Sequence, residues 1–506
     1  MQHILLVLPL LIPLYGAIAC LFFWRKLGVQ RVIGVVTQLS LCAASAYLLY
    51  KTDTTGILTT QIGNWQAPFG ITLVSDIFSS LMVLSSAIVG IAVFVFSLRG
   101  LSNARQLFGY YPLLLLLQMG VNGVCLTGDL FNLFVWFEVL LICCFVLIAL
   151  GGSKPQLEGS IKYVTINFLA SSFLLTGIGM VYGILGSLNM AELAVLVRSA
   201  EANHGLITLA SIFFLVAFGI KAAIFPLFFW LPASYHTPPI GISAFIAGLI
   251  TKVGLYALVR LFTLVFVLNQ DILLPIFLVL SGLTMVIGVL GAASQVDFRK
   301  ILSFHIVSQI GYMLMGLAIF TPMAIAGSIY FVIHNILVKT CLFLISGVVY
   351  RTYGSFALKK LGGVYLQQPL LSLLFVIAAF SLAGIPPFSG FWGKFMLAKG
   401  GLEAGNYGLV ATSLGVSLIT IFSMTKIWNE VFWKKKPAPT EEAARVIAEA
   451  NTAHIGVLRL LHLPVVVLIV CILFIGLYAE PLVNLALRAS EQLLNTESYV
   501  NAVLHK

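Results

Sequence analysis

The chain has 506 residues, of which 60% are hydrophobic and 9% are charged, and its formal net charge is +11. Its mean hydropathy is +1.07. About a quarter of the residues in a soluble globular protein are charged, so this composition excludes that class and indicates a polytopic membrane protein with small aqueous parts. The basic surplus is the ordinary result of loop asymmetry in such a protein, and we expect no nucleic-acid partner.

Apolar windows of about 20 residues, the length that crosses a bilayer, predict an all-α fold with fourteen membrane segments. The first is interpreted as a membrane helix, not a signal peptide, because no basic residue precedes it and its apolar run continues past Cys20. The windows lie near 4–24, 32–50, 74–97, 109–127, 129–150, 161–185, 206–237, 240–267, 272–293, 301–320, 324–349, 370–400, 406–431 and 461–487.

The distribution of lysine and arginine predicts the orientation of these segments. With the amino terminus outside, 17 of the 28 basic residues lie on the cytoplasmic side, five lie within segments and six lie near the outer side. Those six are Lys51, Arg198, Arg260, Lys399, Arg488 and Lys506. Cytoplasmic loops carry the excess of lysine and arginine, so we expect both termini on the outer side.

The first three segments carry almost no internal charge, and residues 1–108 are expected to cover the rest of the bundle. Asp76, at the outer start of the third, is interpreted as a helix cap in preference to a ligand. The fifth segment is different, because Glu138 lies about ten residues past its start. At 1.5 Å per residue this places the carboxyl near the middle of a ~30 Å core. Glu138 is therefore expected to be neutral or paired with a lysine, and a purely structural salt bridge remains an alternative.

The seventh and eighth segments each carry a lysine at membrane depth. Lys221 lies one turn before Pro226, and Pro232 follows. A proline frees a backbone carbonyl, and in lipid such a break is tolerated only where protein or a water-filled cavity surrounds it. Lys252 follows a run of small residues that permits close helix approach, while Arg260, two turns on, is expected to extend towards the outer face. The broken helix with its lysine is a candidate ion path.

Segments ten and eleven supply His305, His334 and Lys339. Residues 334 and 339 are five positions apart, so they do not share a narrow helical stripe. A histidine in a membrane helix is as often a hydrogen-bonded packing residue as a functional one, and both interpretations stay open here. Ser303, Ser308 and Gln309 make this run polar enough to hold water.

The twelfth segment repeats the pattern of the seventh. Pro386 and Pro387 break it, and Lys394 follows the break. Two broken segments five apart in order predict inverted repeats with the ion site at the breaks. Residues 109–267 would form one repeat and 268–432 the other. Residues 433–506 would hold a cytoplasmic amphipathic helix beginning near Thr440 and then the last membrane segment, with a merely solvated connector as the alternative for the former.

Four separated stretches carry a resemblance to a known family. They are LPASYHTPPIGISAFIAGLITKVGLYALVR, DFRKILSFHIVSQIGYM, HNILVKTCLFLISG and GIPPFSGFWGKF. Together they resemble the antiporter-like subunits shared by respiratory complex I, membrane-bound hydrogenases and the multisubunit Mrp sodium/proton antiporters. The length, the HIVSQ form around His305 and the lysine at 394 most resemble the D-type subunits of Mrp antiporters.

The resemblance implies fourteen helices, with the seventh and twelfth broken. It also implies key residues at Glu138, Lys221, Lys252 and Lys394, with His305, His334 and Lys339 on a central polar axis. Some family members carry glutamate where this chain has Lys394. A prokaryotic cell membrane is expected, with a large A-type subunit and small membrane subunits as partners and H⁺ and Na⁺ as the transported ions.

Two other functions stay open. The chain could be a proton-pumping subunit of a redox enzyme, or a scaffold whose buried charges are structural. It offers no nucleotide loop, haem ligation or cluster ligands, and its seven cysteines show no metal spacing. We therefore expect no cofactor, no metal and no catalytic residues in the chain itself, and interpret it as a transporter subunit, not an enzyme.

Overall fold

The fold is known from a computed structural model, which describes residues 2–199, 203–267, 270–435 and 455–504, with the backbone alone at 2, 3 and 455–459. Within these ranges, twelve helices are long and apolar enough to cross a membrane, and two further apolar helices are shorter. Together they give the predicted fourteen segments. The amphipathic helix predicted from Thr440 lies almost wholly outside the described residues.

The membrane helices are numbered by crossing, and the two broken crossings have halves a and b. They are α1 (Gln2–Phe22), α2 (Leu27–Thr55), α3 (Ile77–Gly100), α4 (Tyr110–Leu126), α5 (Leu130–Ala149), α6 (Lys154–Leu185), α7a (His204–Ala222), α7b (Trp230–Ser234), α8 (Ile240–Leu264), α9 (Gln270–Ser294), α10 (Phe298–Ile319), α11 (Pro322–Tyr353), α12a (Pro369–Ala383), α12b (Ser389–Glu403), α13 (Tyr407–Ile427, continued by a π-helix over Trp428–Trp433) and α14 (Ile455–Leu477).

Two faces of the bundle follow from these crossings. The terminal face is the side on which α1 begins and α14 ends, and the basic face is the opposite side, where Arg99, Arg105 and Arg351 lie. On the terminal face, the strands β1 (Leu58–Gln61) and β2 (Thr72–Ser75) form an antiparallel hairpin. Other connections, on either face, contain short helices at Asn103–Leu107, Met190–Ser199 and Val364–Gln367 and single turns of 3₁₀ helix at Ile62–Asn64 and Leu358–Lys360.

The second helix of each predicted repeat begins with the same local structure. Asp129 caps α5 by accepting a hydrogen bond from the amide of Asn132, and Asp297 caps α10 by accepting from the amides of residues 299 and 300. Each aspartate also forms an isolated antiparallel bridge 60 residues further on, 129 with Asn189 and 297 with Ala357. Because α5 starts at the terminal face and α10 at the basic face, the two repeats, α4–α8 and α9–α13, are inverted.

Three helices form the interior. The apolar stretches of α8 and α11 are buried throughout, and 94% of that of α10 is buried. Glycines bring the interior helices together, as the small residues of α8 predicted. A Cβ on Gly248 would lie 2.3 Å from Thr340 Oγ1 of α11, and one on Gly254 would lie 2.9 Å from the backbone of Lys221. The lysines of α7a, α8 and α11 therefore lie where these helices pack closely together.

The carboxyl-terminal end differs from the prediction. The last membrane helix ends at Leu477, so the window 461–487 runs ten residues too far. Two further helices follow, α15 (Glu480–Leu494) and α16 (Thr496–Leu504). The former packs on α11, α3 and α8, and the latter on the hairpin and the short helix at Met190–Ser199. Apolar and polar residues alternate at helical spacing in α15, so it lies along the surface and does not cross the membrane.

These two helices cover a buried ion pair. Arg260 of α8 is 6% exposed, and its Nη2 lies 2.5 Å from Oδ2 of Asp76. Tyr256 and Tyr499 flank the guanidinium. Asp76 is the cap that the sequence predicted, since its Oδ1 accepts from the amide of Ser79. Arg260 does extend towards the terminal face, where it meets Asp76 at the start of α3, but it is buried there because α15 and α16 fold over the end of α8.

Candidate functional site

Lys221 lies in the last turn of α7a, directly before the break. The helix ends at Ala222, and Ala223 adopts the left-handed conformation with φ 61°. Pro226 and Pro232 follow, and α7b resumes at Trp230. The side chain of Lys221 is 4% exposed. Its Nζ donates a hydrogen bond to Ser171 Oγ at 3.2 Å and lies 4.8 Å from the centre of the Phe137 ring.

Glu138 is the next residue along α5 from Phe137, and its charge acts on Lys221. Of the two states expected for Glu138, neutral or paired with a lysine, an ion pair with Lys221 is not formed, because among the described residues no salt bridge within 4.0 Å joins the two. Successive residues on a helix point about 100° apart, so the face of α5 that meets the ammonium presents the ring of Phe137. Glu138 Oε1 is buried without a hydrogen-bond partner in the described structure.

Lys252 of α8 and Lys339 of α11 are completely buried. The ammonium of Lys252 donates to the carbonyl of Ala247, one turn earlier on its own helix, at 2.7 Å. The ammonium of Lys339 has no hydrogen-bond partner among the described residues. Charges on both Lys252 and Lys394 act on Lys339. Lys339 is thus within electrostatic reach of two other lysines, the completely buried Lys252 and the partly buried Lys394.

The two histidines connect these lysines to the second repeat. His334 Nδ1 lies 2.8 Å from Ser389 Oγ of α12b, which in turn lies 2.7 Å from Ser381 Oγ of α12a, so Ser389 links the imidazole to both halves of the broken α12. His305 Nε2 of α10 lies 2.5 Å from Ser423 Oγ of α13. The second ring nitrogen of each histidine is buried without a partner in the described structure. Lys339 and Lys394 act electrostatically on both rings.

The side chain of Lys394 spans the break in α12. From the first turns of α12b its Nζ reaches back to the carbonyl of Ala383, the last residue of α12a, at 2.9 Å. The ammonium also donates to Ser417 Oγ at 3.0 Å and lies 4.6 Å from the centre of the Tyr312 ring. Gly384 makes this possible, since its φ is 87° and a Cβ there would lie 2.7 Å from Lys394 Cδ. The break contains Pro386 and Pro387, as predicted.

Three further polar side chains belong to the same region. Gln309, Asn335 and Thr251 are completely buried, and their polar side-chain atoms have no partner among the described residues. Only Gln309 was noted in the sequence. Asn335 follows His334 and Thr251 precedes Lys252, so the available signal was an amide or hydroxyl beside an ionisable residue in an apolar helix. Buried polar groups of this kind are normally satisfied by ordered water.

The structure therefore brings the seven predicted residues within electrostatic reach of one another in two groups. Glu138 and Lys221 form the first. Lys252, Lys339, His334, His305 and Lys394 form the second, and the two groups meet where Gly254 of α8 packs against the backbone of Lys221. The two groups are thus neighbours in the interior of the bundle.

Comparison with known proteins agrees with this arrangement. Residues 127–420 match the family described as NADH:quinone oxidoreductase/Mrp antiporter, TM. The D-type subunit of the Na⁺/H⁺ antiporter of Alkalihalophilus pseudofirmus is 44% identical over 500 residues, which are 99% of each chain. That of Bacillus subtilis is 40% identical over 98% of this chain and 99% of its own.

Two solved structures have the same fold. A chain of the Mrp complex from Dietzia sp. superposes with a TM-score of 0.91 at 30% identity, covering 99% of both chains. A chain of an archaeal membrane-bound sulfane sulfur reductase superposes with a TM-score of 0.88 at 25% identity, covering 99% of this chain and 100% of its own. These matches confirm the resemblance drawn from the four sequence stretches, and the chain belongs to the NADH:quinone oxidoreductase/Mrp antiporter family of membrane proteins.

Proposed function

We propose that this protein is the proton-translocating subunit of a multisubunit Na⁺/H⁺ antiporter, a secondary transporter and not an enzyme. The observation that carries the proposal is a set of three lysines inside the bundle, the completely buried Lys252 and Lys339 and the partly buried Lys394, none of which forms an ion pair within the described residues. Unpaired charge at membrane depth is costly and marks ion pathways. The end-to-end likeness to D-type antiporter subunits supports the same conclusion.

Glu138 and Lys221 would act as the switch. Lys221 is held by a neutral hydroxyl and an aromatic ring, both weaker partners for an ammonium than a carboxylate. A change of rotamer towards Glu138 would form the ion pair and stabilise the charged lysine. Returning to Ser171 would remove that stabilisation and favour release of the proton to the path. Movement of a cation in a neighbouring subunit would bias this choice.

Lys252, Lys339 and the histidines would form the relay. The ammonium of Lys339, one ring nitrogen of each histidine and the side-chain polar atoms of Gln309, Asn335 and Thr251 have no hydrogen-bond partner in the described chain. They provide donors and acceptors for bridging water. A neutral imidazole accepts a proton at one ring nitrogen and releases one at the other. His334 suits this role, since one nitrogen is held by Ser389 and the other is free.

Lys394 would exchange protons with the far side of the membrane. Its ammonium is stabilised by the end of α12a, where carbonyl groups left unpaired by the break carry partial negative charge. Ser417 continues the chain, because it also bonds to the hydroxyl of Tyr312. The breaks at Pro226 and Pro232 and at Pro386 and Pro387 would each serve a half-channel on one side.

The partners and the orientation complete the proposal. Companion membrane subunits, a large A-type subunit and several small ones, would carry the Na⁺ part of the exchange in a prokaryotic cell membrane. The positive-inside rule places the basic face in the cytoplasm and both termini outside.

The decisive experiment is proton transport in everted vesicles that contain the whole complex. Lys221→Ala is expected to abolish Na⁺-dependent proton movement while the complex still assembles. Lys162→Ala is the matched control, because Lys162 forms an exposed ion pair with Glu158 one turn away on α6. Unchanged transport in Lys221→Ala would remove this residue from the mechanism.

The likeness to a chain of an archaeal respiratory complex favours a second candidate function, a proton pump driven by redox chemistry in another subunit. Absorbance of flavin or iron–sulfur clusters in the purified complex would support it. A third possibility is a scaffold with structural charges. In that case Glu138→Gln would change the thermal stability of the complex and leave its proton flux intact.

A further inference from the structure

A polar cavity on the basic face lies apart from the proton path. It has a volume of about 360 Å³ and lies where the connections between helices converge. Arg105 comes from the connection before the first repeat, Ser153 and Thr237 from the first repeat, and Arg299, Tyr350 and Arg351 from the second. Among the described residues that line the cavity, none is acidic. Three guanidinium groups therefore share one small volume without a carboxylate to neutralise them.

Each of the three arginines is held in place by a different feature. Arg299 lies 3.6 Å from the centre of the Phe356 ring and donates to the carbonyl of Pro238 at 3.3 Å. Arg351 donates to the carbonyl of Arg99 at 3.0 Å. Arg105 fits against Gly151, where a Cβ would lie 2.8 Å from its Nε.

These contacts leave most of the donors unused. A guanidinium has five N–H donors, and the described structure gives Arg299 and Arg351 one side-chain hydrogen bond each. The Nε of Arg299 is buried without a partner in the described chain. The nearest acid that acts on it, Asp297, already accepts from two backbone amides through Oδ1. The cavity is therefore a concave cluster of fixed donors with net positive charge.

We propose that this cavity binds a phosphate group, either free phosphate or the headgroup of an anionic phospholipid. Guanidinium groups match the geometry of phosphate oxygens and bind them through paired hydrogen bonds. Basic pockets between helices on the cytoplasmic side suit phosphate headgroups. Because Arg105 precedes the first repeat and Arg299 and Arg351 belong to the second, a bound phosphate ties the amino-terminal part of the chain to the second repeat beside the α7–α8 connection.

The test follows thermal unfolding of the purified, assembled complex in chloride buffer. In one arm inorganic phosphate is added against chloride at equal ionic strength. In the other, phosphatidylglycerol is added to the micelles against phosphatidylcholine. Wild-type protein is expected to be stabilised in at least one arm, and that arm identifies the source of the phosphate.

Substitutions assign the effect to the cavity. Arg105→Gln or Arg351→Gln is expected to raise the apparent Kd of the stabilising ligand about tenfold, since each removes charge-assisted hydrogen bonds. Arg105→Lys keeps the charge but loses the paired geometry, so a smaller increase is expected. Arg25→Gln is the control, because Arg25 is exposed on the same face outside the cavity; its Kd should equal that of wild type.

Three outcomes would overturn the proposal. The first is wild-type protein that neither arm stabilises, a result that does not depend on whether any variant folds. The second is an equal Kd in Arg105→Gln, Arg351→Gln and Arg25→Gln. The third is a cross-link from Arg105→Cys to an acidic segment of a companion subunit that neither phosphate nor phosphatidylglycerol competes away.

Discussion

Buried cations occur in two regions of this protein, and their surroundings differ. Arg260 has a carboxylate 2.5 Å away and two tyrosine rings around it. Lys252, Lys339 and Lys394 are also inside the bundle, but none has a carboxylate partner among the described residues. Lys252 donates to a carbonyl, Lys394 donates to a carbonyl and a hydroxyl, and Lys339 has no hydrogen-bond partner in the described chain. A paired charge is fixed, since removing either member leaves the other uncompensated. An unpaired lysine can lose its proton without stranding a partner, so the same fold separates a structural charge from mobile ones.

The largest expected effect on stability comes from breaking the paired region. Arg260→Gln leaves Asp76 buried without its cation, and we expect a loss of roughly 3–5 kcal/mol in unfolding free energy. The midpoint of thermal unfolding of the purified complex measures it. Asp76→Asn in the same chain should restore much of the loss, because asparagine retains the cap on α3. The double variant should transport protons at close to the wild-type rate; a double variant that assembles but transports nothing would place this pair in the mechanism.

The opposite result is expected in the unpaired region. Lys339→Met removes a buried amine without a partner in the described chain, so the complex should gain roughly 1–3 kcal/mol in stability. Proton transport in everted vesicles should fall at least about 100-fold, the usual contribution of a positioned proton-transfer group. Lys399→Met is the control, because Lys399 is half-exposed on α12b beside Glu403. A destabilised Lys339→Met with normal transport would contradict the distinction between the two regions.

The sequence predicted one of these regions better than the other. The order of helices, both breaks and the buried lysines could be predicted because prolines and charges stand out in apolar segments. The pairing of Asp76 with Arg260 could not, since it depends on how α3, α8 and the carboxyl-terminal helices pack. The partner of Lys221 was also missed, because periodicity places Phe137 and Glu138 on one helix but does not say which meets the ammonium. The polar cavity on the basic face needs several separate connections to converge, which no local pattern indicates.

The two helix breaks provide a smaller test of the same contrast. Both α7a and α12a are followed directly by a residue with positive φ, Ala223 at 61° and Gly384 at 87°. Gly384→Ala adds a Cβ 2.7 Å from Lys394 Cδ. Together with the backbone strain of alanine at positive φ, this contact should lower the unfolding free energy by roughly 1–3 kcal/mol. Proton transport should also fall, because the displaced ammonium loses its hydrogen bond to the Ala383 carbonyl.

Ala223→Gly is the counterpart of that substitution, because it relieves a left-handed alanine that costs about 1–2 kcal/mol. Part of this gain is offset by the greater flexibility of glycine in the unfolded chain. Its unfolding midpoint should therefore equal or exceed that of wild type, with normal transport. If Gly384→Ala and Ala223→Gly lowered the unfolding midpoint and transport equally, the two breaks would respond in the same way to substitution. The position of the Lys394 ammonium would then not require a glycine at residue 384.

The smallest expected effect concerns the equilibrium of the Lys221 ammonium between its two partners, Ser171 and Glu138. Ser171→Ala removes the hydroxyl that accepts from its ammonium, at a cost of about 1 kcal/mol for one hydrogen bond. Lys221 should then favour Glu138, and the switch should spend longer in the paired state. We expect transport to slow by about fivefold, since about 1 kcal/mol changes an equilibrium by that factor.

Ser171→Thr, which retains a hydroxyl, is the matched control and should transport at close to the wild-type rate. Because Ser171 and Glu138 are alternative partners of the Lys221 ammonium, Ser171→Ala should also be combined with Glu138→Gln. If the paired state causes the slowing, adding Ser171→Ala to Glu138→Gln should produce no further loss, because the carboxylate that captures the ammonium is already gone. Independent, multiplicative losses in the double variant would mean that Ser171 acts on the path in another way, and that Glu138 and Ser171 do not compete for the same lysine.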